Sequence, residues 1–197
     1  MPLSDGYIDL PRGKIAAVVT FLEMLERPQL RVERAGAPWT LQSVHDPQAE
    51  WYRALFRRIG EPYLWFSRLA LSNEQLAHAI RDANTQIYTL RVDGGDEGLL
   101  ELDFGTPQEC ELVFFGLTEK VIGTGAGRWL MNRAVELAWS RPIHRFSVHT
   151  CSLDHPGALD FYIRSGFRPF KRQIEIADDP RITGLLAANA APHVPLI

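Results

Sequence analysis

Glycines recur at every second position in Val121-Ile122-Gly123-Thr124-Gly125-Ala126-Gly127-Arg128. Glycines let a backbone approach a ligand closely, and free N–H groups at a helix start favour a phosphate. The stretch is a candidate pyrophosphate cradle. A P-loop needs Lys and then Ser or Thr after its last glycine, and Arg128-Trp129 stand there instead. A dinucleotide fold needs the glycines after the first strand of a parallel unit, with an acidic residue closing the next strand. Here several strands come first, and the next strand ends in His149-Thr150-Cys151. Taken alone, the loop is equally well read as a glycine-rich turn without a ligand. His149 and Cys151 share one strand face, as a thiol–imidazole nucleophile site would. No third orienting group accompanies them, and cysteine is often core. The six histidines show no ligand spacing, so no metal is expected.

The elements around the loop follow from hydrophobic periodicity. Residues 13–26 are apolar and β-branched and read as a first strand. Residues 28–47 hold Pro28, Gly36, Pro38 and Pro47 and read as an irregular connection with a short strand at 30–33. Trp51, Tyr52, Leu55, Phe56 and Ile59 mark one face of a helix over 48–59, ended by Gly60 and Pro62. Ser72 and Gln75 form a capping-box pattern ahead of a second helix carrying Leu76, Ala79 and Ile80. Residues 87–92 and 99–104 form a hairpin about Asp93-Gly94-Gly95, and 109–117 is another strand. A helix from about Gly125 to Ser140 follows the loop. Then come a strand at 145–151, a short helix at 156–165 closed by Gly166, and a strand at 167–176. The order implies a mixed sheet with helices on its faces. The tail from Pro180 has little pattern and reads as loosely packed or swapped onto a partner.

Composition limits the function classes. The 197 residues suffice for one domain with a real core. The net charge of -3 and the lack of a long basic run argue against a nucleic-acid partner. Two cysteines in a chain of this size fit a reducing compartment rather than a disulfide framework. No signal peptide is visible at the start, and the apolar stretch Ile15 to Leu22 is too short to span a bilayer. A cytoplasmic protein with no membrane partner is expected.

Beyond the loop, Leu153-Asp154-His155-Pro156-Gly157-Ala158-Leu159-Asp160-Phe161-Tyr162-Ile163-Arg164-Ser165-Gly166-Phe167 resembles motif B of the GNAT acetyltransferase superfamily, an Asn-x-x-Ala-x-x-(aromatic)-Tyr-x-x-x-Gly-Phe pattern. Residues 122–127 resemble its motif A, (Gln/Arg)-x-x-Gly-x-(Gly/Ala), and the 111–117 strand resembles its fourth strand. The motifs stand in the family's order, separated by one helix and one strand. Motif likeness covers roughly residues 85–170, within one GNAT-like domain spanning 1–197 (core about 85–176, tail 177–197). The sequence departs from the pattern at Ile122, where motif A has Gln or Arg, and at His155, where motif B has Asn.

The resemblance implies an α/β (α+β) fold with a mixed, mostly antiparallel central sheet whose central strands splay. It implies an N-acetyltransferase using acetyl-coenzyme A (acetyl-CoA), with direct attack by a primary amine of a small molecule or peptide. Ile122, Gly123, Thr124, Gly125, Ala126, Gly127 and Arg128 would hold the pyrophosphate, with Arg128 adding positive charge. The pantetheine arm would run along the 111–117 strand near Phe115 and Leu117, with a backbone N–H near Phe115 facing the thioester oxygen. His155, Ala158 and Phe161 would complete the donor site, although Phe161 also suits the core. Tyr162 is the implied acid for the leaving thiolate, or else an aromatic packing residue on the stripe of Ala158, Phe161 and Tyr162. Glu111 is the candidate base, directly or through a water. Strand alternation puts Glu111, Val113 and Phe115 on one face, and apolar flanks would raise the Glu111 pKa. A solvated Glu111 is the alternative. Asp154 or His155 would cap the helix at Pro156. Tyr63 to Phe66 fall where the family places its acceptor pocket, or else belong to the core. The alternative functions are a non-catalytic acetyl-CoA sensor or interaction module and a Cys151–His149 hydrolase. The acceptor's identity stays open, as does a possible homodimer.

Overall fold

The β-branched run at the start of the chain forms β1, Lys14–Met24. A computed structural model describes residues 5–197. The remaining strands are β2 (Thr40–Ser43), β3 (Thr85–Val92), β4 (Gly95–Asp103), β5 (Glu109–Leu117), β6 (Arg145–Cys151) and β7 (Arg168–Asp178). The helices are α1 (Ala49–Gly60), α2 (Asn73–Ile80), α3 (Ala126–Ala138) and α4 (Ala158–Arg164). All seven strands form one mixed sheet in the order β2-β3-β4-β5-β6-β1-β7, and β5–β6 is its parallel pair. The mixed, mostly antiparallel sheet flanked by helices is the fold class expected.

Local chemistry explains most elements. The capping box before α2 is complete: the Ser72 hydroxyl accepts the Gln75 N–H, and the Gln75 amide oxygen accepts the Ser72 N–H. Asp93 and Gly94 both have positive φ, which suits the two-residue turn joining β3 to β4. Gly166 has φ 107° and closes α4 as expected. The strand expected at 30–33 is replaced by a strand at β2. Its backbone finds a different partner: the Asn132 side chain of α3 accepts the Arg31 N–H at 3.2 Å and donates to the Arg31 carbonyl at 2.7 Å.

Two cores cover the two sheet faces. α3 packs Leu130, Met131 and Ala134 against Leu22, Leu102 and Phe146. On the other face α1 packs Tyr52, Phe56 and Ile59 beside Leu76, Ile80 and Leu99. Glu101, 1% exposed, is buried there between the Tyr52 hydroxyl and the Arg68 guanidinium, which ties α1 and the following loop to β4. The tail is not loose. Arg181, buried with Asp179, donates to the carbonyls of Ala190 and Val194, and Leu186, Ala190 and Ala191 join the α1 core.

Two irregularities shape the site. β5 carries a bulge: Leu102 pairs with Leu112 but Glu101 with Phe114, so Val113 is an extra residue. β5 and β6 pair only from Glu109↔Arg145 to Leu112↔Val148, and beyond that the two strands part.

Candidate active site

A cleft of about 740 Å³ opens where β5 and β6 part, a size that fits a ligand site. One half is walled by the glycine loop, the end of β5 and α4. The other half lies between the α1–α2 loop and strands β1 and β7.

The glycine loop leads into α3 with Gly125 as its N-cap at φ 101° and Gly123 at φ 79°, conformations that suit glycine. The Thr124 hydroxyl donates to the Val121 carbonyl at 2.7 Å and tightens the turn. Among the described residues, the N–H groups of Gly123, Gly125, Gly127 and Arg128 meet no acceptor. They are the open amides of a helix N-terminus, a place suited to a phosphate. A Cβ on Gly127 would stand 3.6 Å from Leu117 and 3.7 Å from Phe161, filling the cleft between them. Ile122, Gly123 and Gly127 line the cleft. Ala126 is buried beneath the loop. The Arg128 side chain is committed elsewhere, donating to the Val32 carbonyl at 2.9 Å.

Phe115, Leu117, His155, Ala158, Phe161 and Tyr162 all line the cleft. Phe115 and Phe161 stack at 5.6 Å with their planes 26° apart, so Phe161 serves both core and cleft. Tyr162 is buried, which pushes its pKa up; Asp154 adds to the effect. The phenol therefore stays protonated and able to donate, and its hydroxyl has no hydrogen-bond partner among the described residues. His155 accepts the Gly157 N–H through Nδ1 at 3.0 Å. Asp154 does not cap α4. Its carboxylate accepts from Thr150 Oγ1 at 2.7 Å, the Cys151 N–H at 2.8 Å and Trp65 Nε1 at 2.9 Å. It locks the end of β6 to the α1–α2 loop.

The bulge at Val113 overturns the shared face expected for Glu111 and Phe115. Phe115 turns to the α3 side with Phe161, whereas Glu111 lies on the opposite face beside His149. Glu111 does not line the cleft and is half exposed rather than flanked by apolar groups. His149 does line it, with Nδ1 3.6 Å from Glu111 Oε1. The Glu111 carboxylate holds the imidazole pKa above its ordinary value against the opposing effect of burial. Cys151 also lines the cleft, but burial pushes its thiol up to about 11. Near neutral pH this favours the thiol over the nucleophilic thiolate and weighs against a Cys151–His149 hydrolase.

Sequence reasoning missed part of the cleft. Ile15 and Ala17 of β1 and Glu175 and Ala177 of β7 line it, because β1 lies between β6 and β7. No local pattern signals that insertion. Trp65 and Phe66 line the cleft as well, and Trp65 packs on Phe114 at 5.6 Å.

Comparison with known proteins places this fold, with its glycine loop and cleft, in a family. The sequence model of the acetyltransferase (GNAT) family matches residues 37–167. The chain belongs to that family. No curated protein matches the sequence. Among solved structures, a GCN5-related N-acetyltransferase from Sphaerobacter thermophilus aligns with TM-score 0.62 at 13% identity, over 83% of this chain and 52% of its own. A functionally unknown conserved protein from Staphylococcus epidermidis aligns with TM-score 0.56 at 15% identity, over 85% of this chain and 63% of its own. This chain thus spans about half to two thirds of the length of these two. A GNAT family acetyltransferase from Elizabethkingia anophelis with acetyl-CoA bound aligns with TM-score 0.52 at 16% identity, over 68% of this chain and 78% of its own. At these identities the likeness is one of fold.

Proposed function

We propose that this chain transfers an acetyl group from acetyl-CoA to a primary amine of a small molecule or peptide, by direct attack in a ternary complex. One observation carries the reading. The glycine loop brings Gly123 and Gly127, whose amides are unpartnered, onto the same cleft as Tyr162 and His149, at the point where β5 and β6 part.

In this reading the amides of Gly123, Gly125, Gly127 and Arg128 hold the pyrophosphate, and Thr124 and Ala126 fix the loop. Ile122, His155, Ala158 and Phe161 flank the donor. Beyond Leu112, β5 has no strand partner on its β6 side, so its backbone near Phe115 and Leu117 is free to pair with the pantetheine arm. An N–H there also polarises the thioester carbonyl. His149 takes a proton from the substrate ammonium, freeing the neutral amine to attack the thioester carbonyl, and Glu111 stabilises the imidazolium that forms. Glu111 thus assists the base from outside the cleft. As the C–S bond breaks, Tyr162 donates its proton to the leaving sulfur, and the proton that the acylated nitrogen sheds restores the phenol through solvent.

The chain acts as one unit in the cytoplasm. No helix among the described residues is long and apolar enough to cross a membrane. Its homodimer forms through β7, the edge strand, which is exposed along nearly its whole length. The strand is basic at Arg168, Lys171 and Arg172 and acidic at Glu175 and Asp178. The exposed Ile174 and Ile176 give this edge an apolar surface for a second copy.

The test is calorimetric titration with acetyl-CoA and free coenzyme A, beside a Gly125→Glu, Gly127→Glu double variant, followed by thiol release with an amine library. Binding by the parent alone, with turnover, supports the enzyme. Binding without turnover of any amine supports a non-catalytic acetyl-CoA sensor. No binding by folded parent protein removes both readings.

A further inference from the structure

We infer that the acceptor is a monoamine carried on a flat apolar body, with Glu175 reading its single positive charge; this rests on the amine-acetylation reading above. The acceptor half of the cleft has one aromatic wall and one wall of small and aliphatic residues. Trp65 and Phe114 form the first. Phe114 is wedged against Phe56 in an edge-on contact at 4.9 Å, with the Arg68 guanidinium 5.2 Å from its ring centre. Trp65 is fixed through its indole N–H on Asp154. Opposite stand Ile15 and Ala17 of β1 and Ala177 of β7. Alanines there leave depth for a ring to slide between the walls, and two pre-fixed aromatic faces bind a flat body with little entropy to lose.

The carboxylates set the charge. Four lie on or near this half of the cleft, and three are already engaged. Asp154 accepts three internal hydrogen bonds. Glu101 is buried with Tyr52 and Arg68. Glu111 faces His149 from outside the lining. Glu175 lines the cleft, pairs with Ala17 across the sheet, and makes no ion pair among the described residues. It lies close enough to His149 to favour the protonated imidazole. One free carboxylate beside the base suits one ammonium, drawn in by Glu175 and deprotonated at His149. A polyamine would bring further charges with no second free carboxylate on the lining to pair them, and an amino sugar would set most of its hydroxyls against apolar walls.

The test compares 2-phenylethylamine, spermidine and kanamycin by thiol release from saturating acetyl-CoA with the full chain. The expected kcat/KM for 2-phenylethylamine exceeds the other two by about 100-fold, the scale set by unpaired buried polar groups. Glu175→Gln should raise its KM about 10-fold with kcat within about 2-fold, and Glu175→Asp should recover part of the loss. Preference for spermidine or kanamycin overturns the inference, as does a Glu175→Gln variant with unchanged KM. If coenzyme binds but no amine in any class releases thiol, enzymatic acetylation fails first and this inference falls with it.

Discussion

Asp154 joins the two halves of the cleft, and its replacement tests that arrangement. Asp154→Ala removes three hydrogen bonds of 2.7–2.9 Å to Thr150, Cys151 and Trp65. Each acceptor is a carboxylate oxygen, but the site is only partly buried and solvent screens it, so the general net value of a hydrogen bond applies, about 1 kcal/mol each and about 3 kcal/mol together. For a chain of this length that corresponds to a fall in Tm of about 6–12 °C. Trp65→Phe removes one of the three and should cost about 1 kcal/mol. Urea unfolding followed by tryptophan fluorescence measures both. The functional consequence is separate from the stability loss. Trp65 lines the cleft, so freeing its indole should raise the KM for the amine at temperatures where the variant is fully folded. A loss under about 1 kcal/mol in Asp154→Ala, with an unchanged amine KM, would refute the role given to this carboxylate.

Three further outcomes follow from the cleft and the sheet edge. The kcat/KM for an amine should rise as pH rises through the His149 pKa, which Glu111 holds up; Glu111→Gln should move that limb to lower pH, and an unmoved limb would separate Glu111 from the base. Cys151, with its thiol near 11, should react with iodoacetamide roughly 100- to 1,000-fold more slowly than a free thiol at pH 7; Cys151→Ser should keep most activity, and its inactivation would restore a nucleophilic role. At β7, Ile174→Lys and Ile176→Lys should each shift sedimentation toward monomer, whereas a parent monomer at all concentrations would rule out the self-pairing.

Local chemistry alone determined much of this protein. Ser72 and Gln75 specify the start of α2 whatever surrounds it, because the capping box closes within four residues. Asp93-Gly94 and Gly166 specify their turns because their backbone needs positive φ. The glycine run and the 153–167 pattern pointed to the family and to the wall where Phe161 and Tyr162 stand. The tertiary structure decided the rest, since those features depend on partners distant in sequence. A bulge at Val113 shows up only when β4 is laid beside β5, and it moved Glu111 to the face opposite Phe115. The segment at 30–33 is not a strand because Asn132, about a hundred residues away, satisfies its backbone. The tail is held by Arg181 reaching carbonyls on its own later turns, a pattern with no periodicity to read. Above all, β1 inserted between β6 and β7, because a strand's neighbours are set by long-range pairing rather than by its own residues. That placement alone brought Ile15, Ala17 and Glu175 to the cleft.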